Sequence, residues 1–251
     1  MIFRTNIQLQ AERNQIDYNS KLLLIGSCFS ENIYKKLNYF KFHTVSNPFG
    51  ILFNPIAIEN LIANAINQKK YSEKDIFLLN ERWHCFDAHS DLSSVDKIDL
   101  LSNLNSVIHS THQQLKKSTH IIITLGTSWV YRFIDTDSIV GNCHKAPQKK
   151  FLKELLSVED ILASLENIYV LIKDINPTIN ILFTVSPVRH LKDGFIENSQ
   201  SKAHLLTAIH QLVDKRNNMF YFPSYEILLD DLRDYRFYSS DMIHPNKTAV
   251  N

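Results

Sequence analysis

Leu22-Leu23-Leu24-Ile25-Gly26-Ser27-Cys28-Phe29-Ser30 decides the reading of this chain. An apolar strand stops at a glycine, a candidate nucleophile follows at once, and helix-forming residues begin directly after it. This layout sets Cys28 at the carboxyl edge of a parallel sheet, where open α/β folds place their ligands. It also puts the thiol beside a helix N-terminus, whose free N–H groups and dipole favour a thiolate or an oxyanion. The expectation is a lowered thiol pKa, helped by a nearby His244. At the far end, Asp241-Met242-Ile243-His244-Pro245 places a carboxylate three residues before a histidine. Pro245 restricts His244 to an extended conformation at an element boundary. A nucleophile, a histidine to take its proton and an aspartate to orient the imidazole are the parts for acyl transfer. Ser27 is the rival nucleophile; its hydroxyl could equally satisfy backbone at the strand end. Cys28 itself could be a small buried residue, as free cysteines often are.

Outward from this stretch, strands alternate with helices. Residues 21–26, His120 to Gly126 and Ile179 to Val185 read as buried strands, and Met219 to Phe222 as a short one. Ser30 reads as the N-cap of a short helix through Leu37. Pro55 opens a helix from Ile56 to Asn67, and residues 94–117 carry another through Val95, Ile98, Leu104 and Ile108. Ser157 caps a long helix that ends at Asn176-Pro177, and Gln200 to Arg216 is a further one. Residues 76–86 read as an extended pair around Asn80-Glu81-Arg82, and Trp129 to Ile134 as a strand. Apolar strands between amphipathic helices predict a largely parallel sheet with helices on both faces. The expectation is a single domain over 1–251, with insertions near 76–92 and 130–156 and a C-terminal helix cut short after His244.

The composition narrows the function classes. Among 251 residues, 44% are hydrophobic, and 27 Lys+Arg balance 26 Asp+Glu for a net charge of +1. No basic run carries interleaved aromatics, which argues against nucleic acid as a partner. No stretch approaches the roughly 20 apolar residues of a membrane span, and residues 1–8 lack the apolar core of a signal peptide. Three cysteines, Cys28, Cys85 and Cys143, do not make a disulfide framework, so a cytoplasmic protein with reduced thiols is expected. His84-Cys85 and Cys143-His144 match no standard zinc spacing, and no metal is expected.

The motifs also resemble a known family. Gly26-Ser27-Cys28-Phe29-Ser30 looks like the signature of the GSCFA-domain family, with Ser30 in place of the final alanine. The resemblance extends over Asn47-Pro48-Phe49-Gly50, Asn54-Pro55, Trp83 to Asp87, His89-Ser90, Leu125 to Trp129, Asn142 to Lys145, Ser186 to His190 and Asp241 to Pro245. That family is in turn similar to the SGNH (GDSL-type) hydrolases and acyltransferases. The resemblance implies a flavodoxin-like, three-layer α/β/α sandwich with a central, mostly parallel sheet. It implies Cys28 at the nucleophile position, Asp241 and His244 in the last block, and Gly50 as an oxyanion-hole amide. The third-block Gly-x-Asn reads Gly126-Thr127-Ser128 here, so its side-chain amide is missing; Ser128 or Asn142 would take its place. Asn54, His144 and Arg189 complete the expected oxyanion and substrate-binding set.

The resulting expectation is acyl transfer or ester hydrolysis through Cys28, or Ser27, with the Asp241/His244 pair. By resemblance the substrate is an O-acyl group on a carbohydrate or another small ester. No cofactor is expected, and acetyl-CoA stands only as a candidate acyl donor, since no Gly-rich phosphate loop supports it. The alternative is a glycan- or protein-binding module on the same fold that has lost catalysis.

Overall fold

Among the described residues, 5–213 and 218–251 of the computed structural model, five parallel strands make the central sheet. β1 (Lys21–Gly26) leads into α1 (Cys28–Tyr39), and the chain returns through β2 (His43–Ser46) to α2 (Pro55–Ile66). A hairpin of β3 (Ile76–Leu79) and β4 (Arg82–Cys85) precedes α3 (Lys97–Lys117) and β5 (His120–Leu125). A small antiparallel sheet follows, formed by β6 (Trp129–Phe133), β7 (Ser138–Ile139) and β8 (Phe151–Leu155). Then come α4 (Val158–Ile175), β9 (Asn180–Val185), α5 (Phe195–Val213) and β10 (Met219–Tyr221). A short α6 (Ser224–Glu226) runs into a π turn at Ile227–Asp231, and α7 (Lys247–Val250) is the last element.

The sheet order is β10-β9-β5-β1-β2, with every pairing parallel. This is a doubly wound, flavodoxin-like order, with its switch point where β1 lies between β2 and β5. The three apolar runs read from the sequence are therefore adjacent parallel strands. Leu23, Ile25, Ile121, Ile123, Ile181 and Phe183 face a large core with α2, α3, α4 and α5. Leu22, Leu24 and Ile122 face the other way, onto Ile33, Tyr34 and Leu37 of α1. Alternate side chains are thus covered on both faces, which is why the strands read as unbroken apolar runs.

Several local expectations change. Ser27, extended at φ −69° and ψ 175°, is the N-cap of α1, and Ser30 lies inside the first turn. The Ser30 hydroxyl instead donates to Thr124 Oγ1 at 2.7 Å, which ties α1 to β5. The helix expected from residue 94 begins at Lys97, because the Asp96 carboxylate caps it by accepting from the Ile98 and Asp99 amides. Val95 and Ile98 consequently stay exposed, and the buried stripe is Leu100, Leu104, Ile108 and Leu115. The helix expected over Gln200 to Arg216 begins earlier, at Phe195; its Asp214 to Arg216 end falls outside the described residues. In the hairpin, Asn80 and Glu81 both take positive φ, at 48° and 59°, as a two-residue type I′ turn requires. This hairpin packs on the small sheet: Phe86 stacks on Phe77 at 4.2 Å and contacts Phe133 at 4.7 Å.

Candidate active site

Gly26 lets β1 reach this site. It adopts φ +147°, and a Cβ there would lie 2.2 Å from the Thr124 carbonyl oxygen on β5. The Ser27 amide donates to that same oxygen at 3.1 Å, so the chain leaves β1 pressed against its neighbour. The Ser27 hydroxyl is buried and accepts from the Phe29 amide at 3.2 Å, a capping bond that stabilises α1 by about 1 kcal/mol. Cys28 follows as the first residue of α1 and is half-buried. The amides of Cys28 and Phe29 favour its thiolate, as expected at a helix N-terminus. Burial outweighs them and pushes the thiol up, and Glu31 adds to the rise. The lowered pKa expected from sequence is therefore not what the fold delivers. Lys202 is the cation that opposes the rise.

Asp241 and His244 form a tight pair. His244 Nδ1 lies 2.7 Å from Asp241 Oδ2, and Asp241 Oδ1 accepts from the amides of Ile243 and His244 at 2.9 and 3.0 Å. The His244 and Ile243 amides, with the His244 ring, hold the Asp241 carboxyl down at about 2. The segment is anchored by its own backbone: the Ser239 amide donates to the His244 carbonyl at 2.8 Å, and Tyr238 bridges to Pro245. Arg189 clamps it from the loop after β9. Its amide donates to the Ile243 carbonyl, its guanidinium donates to the Met242 carbonyl at 3.2 Å, and the guanidinium sits 4.2 Å from the Tyr238 ring. Arg189, expected in the substrate-binding set, thus binds the dyad segment and also lines the cleft at Asn54 and Asn142. Both dyad side chains are 45% exposed, and no hydrogen bond joins His244 to the Cys28 sulfur among the described residues.

The expected oxyanion groups divide. The Gly50 amide donates to the Asn47 carbonyl at 2.8 Å, closing the turn after β2, so it is not open to a substrate. Gly50 is required there for a different reason: at φ +74° its missing Cβ leaves room for His89, which would otherwise be met at 2.3 Å. Ser128 is fully buried, with its amide and hydroxyl bonded to Ser201 of α5. His144 is buried too, held between Ser90 Oγ at 3.1 Å and the Cys85 carbonyl at 2.7 Å, and burial pushes it down to about 4. It anchors the loop at 142–145, where His144 and Lys145 both take positive φ. Asn54 and Asn142 remain. Each uses its Oδ1 on backbone, to the amides of Ala57 and His144, which leaves the Nδ2 donor to present. Both line a cleft of about 650 Å³ that also touches Phe53, His190 and Ile243, the neighbour of His244. Cys28 and His244 are not on its wall.

The GSCFA family model matches residues 21–251. The chain belongs to the GSCFA family. Among solved structures, an acetyl xylan esterase (Est2A) from the rumen bacterium Butyrivibrio proteoclasticus aligns at TM-score 0.40 and 12% identity. The alignment covers 84% of this chain and 57% of that one, so the chain spans little more than half the esterase's length. No curated protein sequence matches.

Lys202 escaped the sequence reading of this GSCFA chain, while Asn47 and His190 stood in it only as parts of longer motifs. Asn47 at φ +43° accepts the Gly26 amide on its Oδ1 at 2.8 Å, and its Nδ2 is buried without a partner. His190 tilts against Phe53 at 5.5 Å beside Gly126, and burial, Lys202 and His244 bear on it, leaving it at about 4. Lys202 is buried in α5, where it donates to the Gly126 and Ser186 carbonyls at 2.6 and 2.7 Å. A signal existed for Lys202: it falls on the same helical stripe as Asn198, Leu205, Ile209 and Leu212, all buried. Lys202 thereby ties the loop after β5 to the loop after β9, the loop that also carries His190. The structure also shows no helix long and apolar enough to cross a membrane and no cluster of three metal-ligating side chains among the described residues.

Proposed function

We propose that this GSCFA domain cleaves or transfers acyl esters through Cys28. The observation that supports the reading is the 2.7 Å His244–Asp241 pair, taken with Cys28 as the first residue of α1. In this reading the Cys28 thiol yields its proton to His244, and the sulfur attacks the ester carbonyl carbon. The C–O π pair moves to oxygen, and the oxyanion is met by the Cys28 amide with the carboxamides of Asn54 or Asn142. As the C–O bond to the alcohol breaks, His244 returns the proton to the leaving oxygen. Water, or an acceptor hydroxyl, then takes the acyl group from sulfur and regenerates the thiol. Ser27 is the weaker nucleophile, because its hydroxyl caps α1. The cleft, whose wall carries neither Cys28 nor His244, offers Phe53, Trp129, Tyr131 and Phe151 to stack on the sugar part of a carbohydrate ester.

A binding module without catalysis is the second reading. It is favoured by the Gly50 amide and Ser128 hydroxyl, both engaged inside the protein, and by a thiol pushed upward. Steady-state assays with p-nitrophenyl acetate, acetylated xylan and acetyl-CoA separate the two. Turnover lost in Cys28→Ala supports the enzyme. No turnover of any of the three, or turnover kept in Cys28→Ala, refutes Cys28 chemistry.

A further inference from the structure

We propose that the cleft at Asn54 and Asn142 binds a saccharide that carries an anionic group, a carboxylate or a phosphate, held by Lys145 and Lys192. The inference rests on the reading of this cleft as a sugar site, and it holds for a catalytic or a binding protein alike. Phe53, Trp129, Tyr131 and Phe151 share its wall with Lys145, Arg189 and Lys192. Aromatic faces and a few placed polar groups make an ordinary small-molecule site. A neutral sugar finds both in the four rings and the two carboxamides, and it gains little from a group of cations. The cations are therefore the feature that needs a ligand of its own.

The charges of the cleft do not cancel. Asp193 is the sole carboxylate among its described lining residues, and it is already bonded to the Lys153 ammonium. Lys153 in turn sits 4.6 Å from the centre of the Trp129 ring. Arg189 is turned to the dyad segment, bonded to the Met242 carbonyl and stacked on Tyr238. Among the described residues, Lys145 and Lys192 have no carboxylate within ion-pair distance, which leaves them as the cations to meet a ligand. They come from separate segments. Lys145 follows His144, which is anchored on Ser90 and the Cys85 carbonyl, and Lys192 lies in the loop after β9. Their meeting on one cleft is a product of the fold. The chain as a whole is balanced, 27 Lys+Arg against 26 Asp+Glu, so the surplus is local. A cleft lined by one sign of charge over low-dielectric walls focuses its field and concentrates the opposite ion.

Titration calorimetry at low salt compares trigalacturonate with its carboxyl-reduced form, which keeps the rings and removes the charge, and with glucose-6-phosphate. The acid trimer or the sugar phosphate should bind about tenfold more tightly than the neutral trimer. The tighter of the two identifies the anion as carboxylate or phosphate. The double variant Lys145→Gln/Lys192→Gln should erase the preference and leave the neutral trimer's affinity as it was. Tyr131→Ala should instead weaken both trimers alike, because it removes a stacking face and no charge. Equal affinity for acid and neutral trimers, no binding of either anion, or binding of coenzyme A without any saccharide would overturn the proposal. So would affinities unaltered in both variants, since the ligand would then sit elsewhere. Should the double variant not fold, salt answers on the unaltered protein: raising it should remove the preference for the anion, and a salt-independent preference would refute the role of the lysines. No arm uses turnover. Anion preference without ester turnover would sink the ester reading alone, and turnover of acetylated xylan without anion preference would sink this inference alone.

Discussion

Asp241 grips His244 twice: Oδ2 meets the ring Nδ1 at 2.7 Å, and Oδ1 accepts the His244 backbone amide at 3.0 Å. The carboxylate therefore sets both the direction of the ring and the course of the chain that carries it. His244→Ala should lower kcat by about 10²–10⁴-fold, the usual range for a lost general base. Asp241→Asn should keep more activity, because it disturbs only orientation and charge support. Asp241, held down at about 2, stays ionised throughout the ordinary pH range. An acid limb of the pH–rate profile that persists in Asp241→Asn, displaced to lower pH as the imidazolium loses its carboxylate, would agree with this; its disappearance would assign the limb to Asp241.

Groups that act as one unit lose activity non-additively. Cys28→Ala and His244→Ala should each remove most turnover, and the double variant should lose little more. Losses that multiply would mean that the two residues act independently.

Gly26→Ala should cost about 3 kcal/mol or more, because an added Cβ meets the Thr124 carbonyl at 2.2 Å and φ is +147°. Urea unfolding measures this. A loss under about 1 kcal/mol would show that β1 and β5 can separate without penalty.

Arg189→Met removes the guanidinium that donates to the Met242 carbonyl and stacks on Tyr238. Since the clamp holds the dyad, kcat should fall about tenfold with KM little changed, even though Arg189 also lines the cleft. A rise in KM at constant kcat would instead return Arg189 to substrate binding.

His144 and His190 are both lowered to about 4, chiefly by burial. Their folded values lie below the unfolded value near 6.5, so the unfolded chain binds more protons between pH 6.5 and 4. Stability should be full above about pH 6.5 and fall as pH drops toward 4, by up to about 1.4 kcal/mol per pH unit for each histidine. His144→Asn should flatten part of this fall in urea midpoints taken from pH 7 to 4. An unaltered slope would mean that His144 is already charged in the native protein.

Much of the architecture could be read along the chain. Leu22 to Ile25, Ile121 to Thr124 and Ile181 to Thr184 announce double-sided burial by their unbroken apolar character, and they prove to be β1, β5 and β9, side by side. Ser157 announces its cap, realised as a capping box with Asp160. Helix starts were less legible. Ser27 and Ser30 are chemically alike, and the choice of cap depended on Thr124, which β5 brings next to Ser30. At the site, Asp241 and His244 could be paired by spacing alone, because a bond across three residues is local.

The sequence by itself determined that Cys28 follows a buried strand, that the sheet is parallel, and that Asp241 lies within reach of His244. These follow from local spacing and from the periodicity of apolar residues, which hold whatever the rest of the chain does. Only the tertiary structure decided which polar groups remain to do chemistry. Gly50 and Ser128 are bonded to Asn47 and Ser201, and Lys202 is buried against the Gly126 and Ser186 carbonyls. The reason is physical: whether a donor is already engaged, and whether a thiol is raised or lowered, depends on atoms that distant segments bring within a few ångströms.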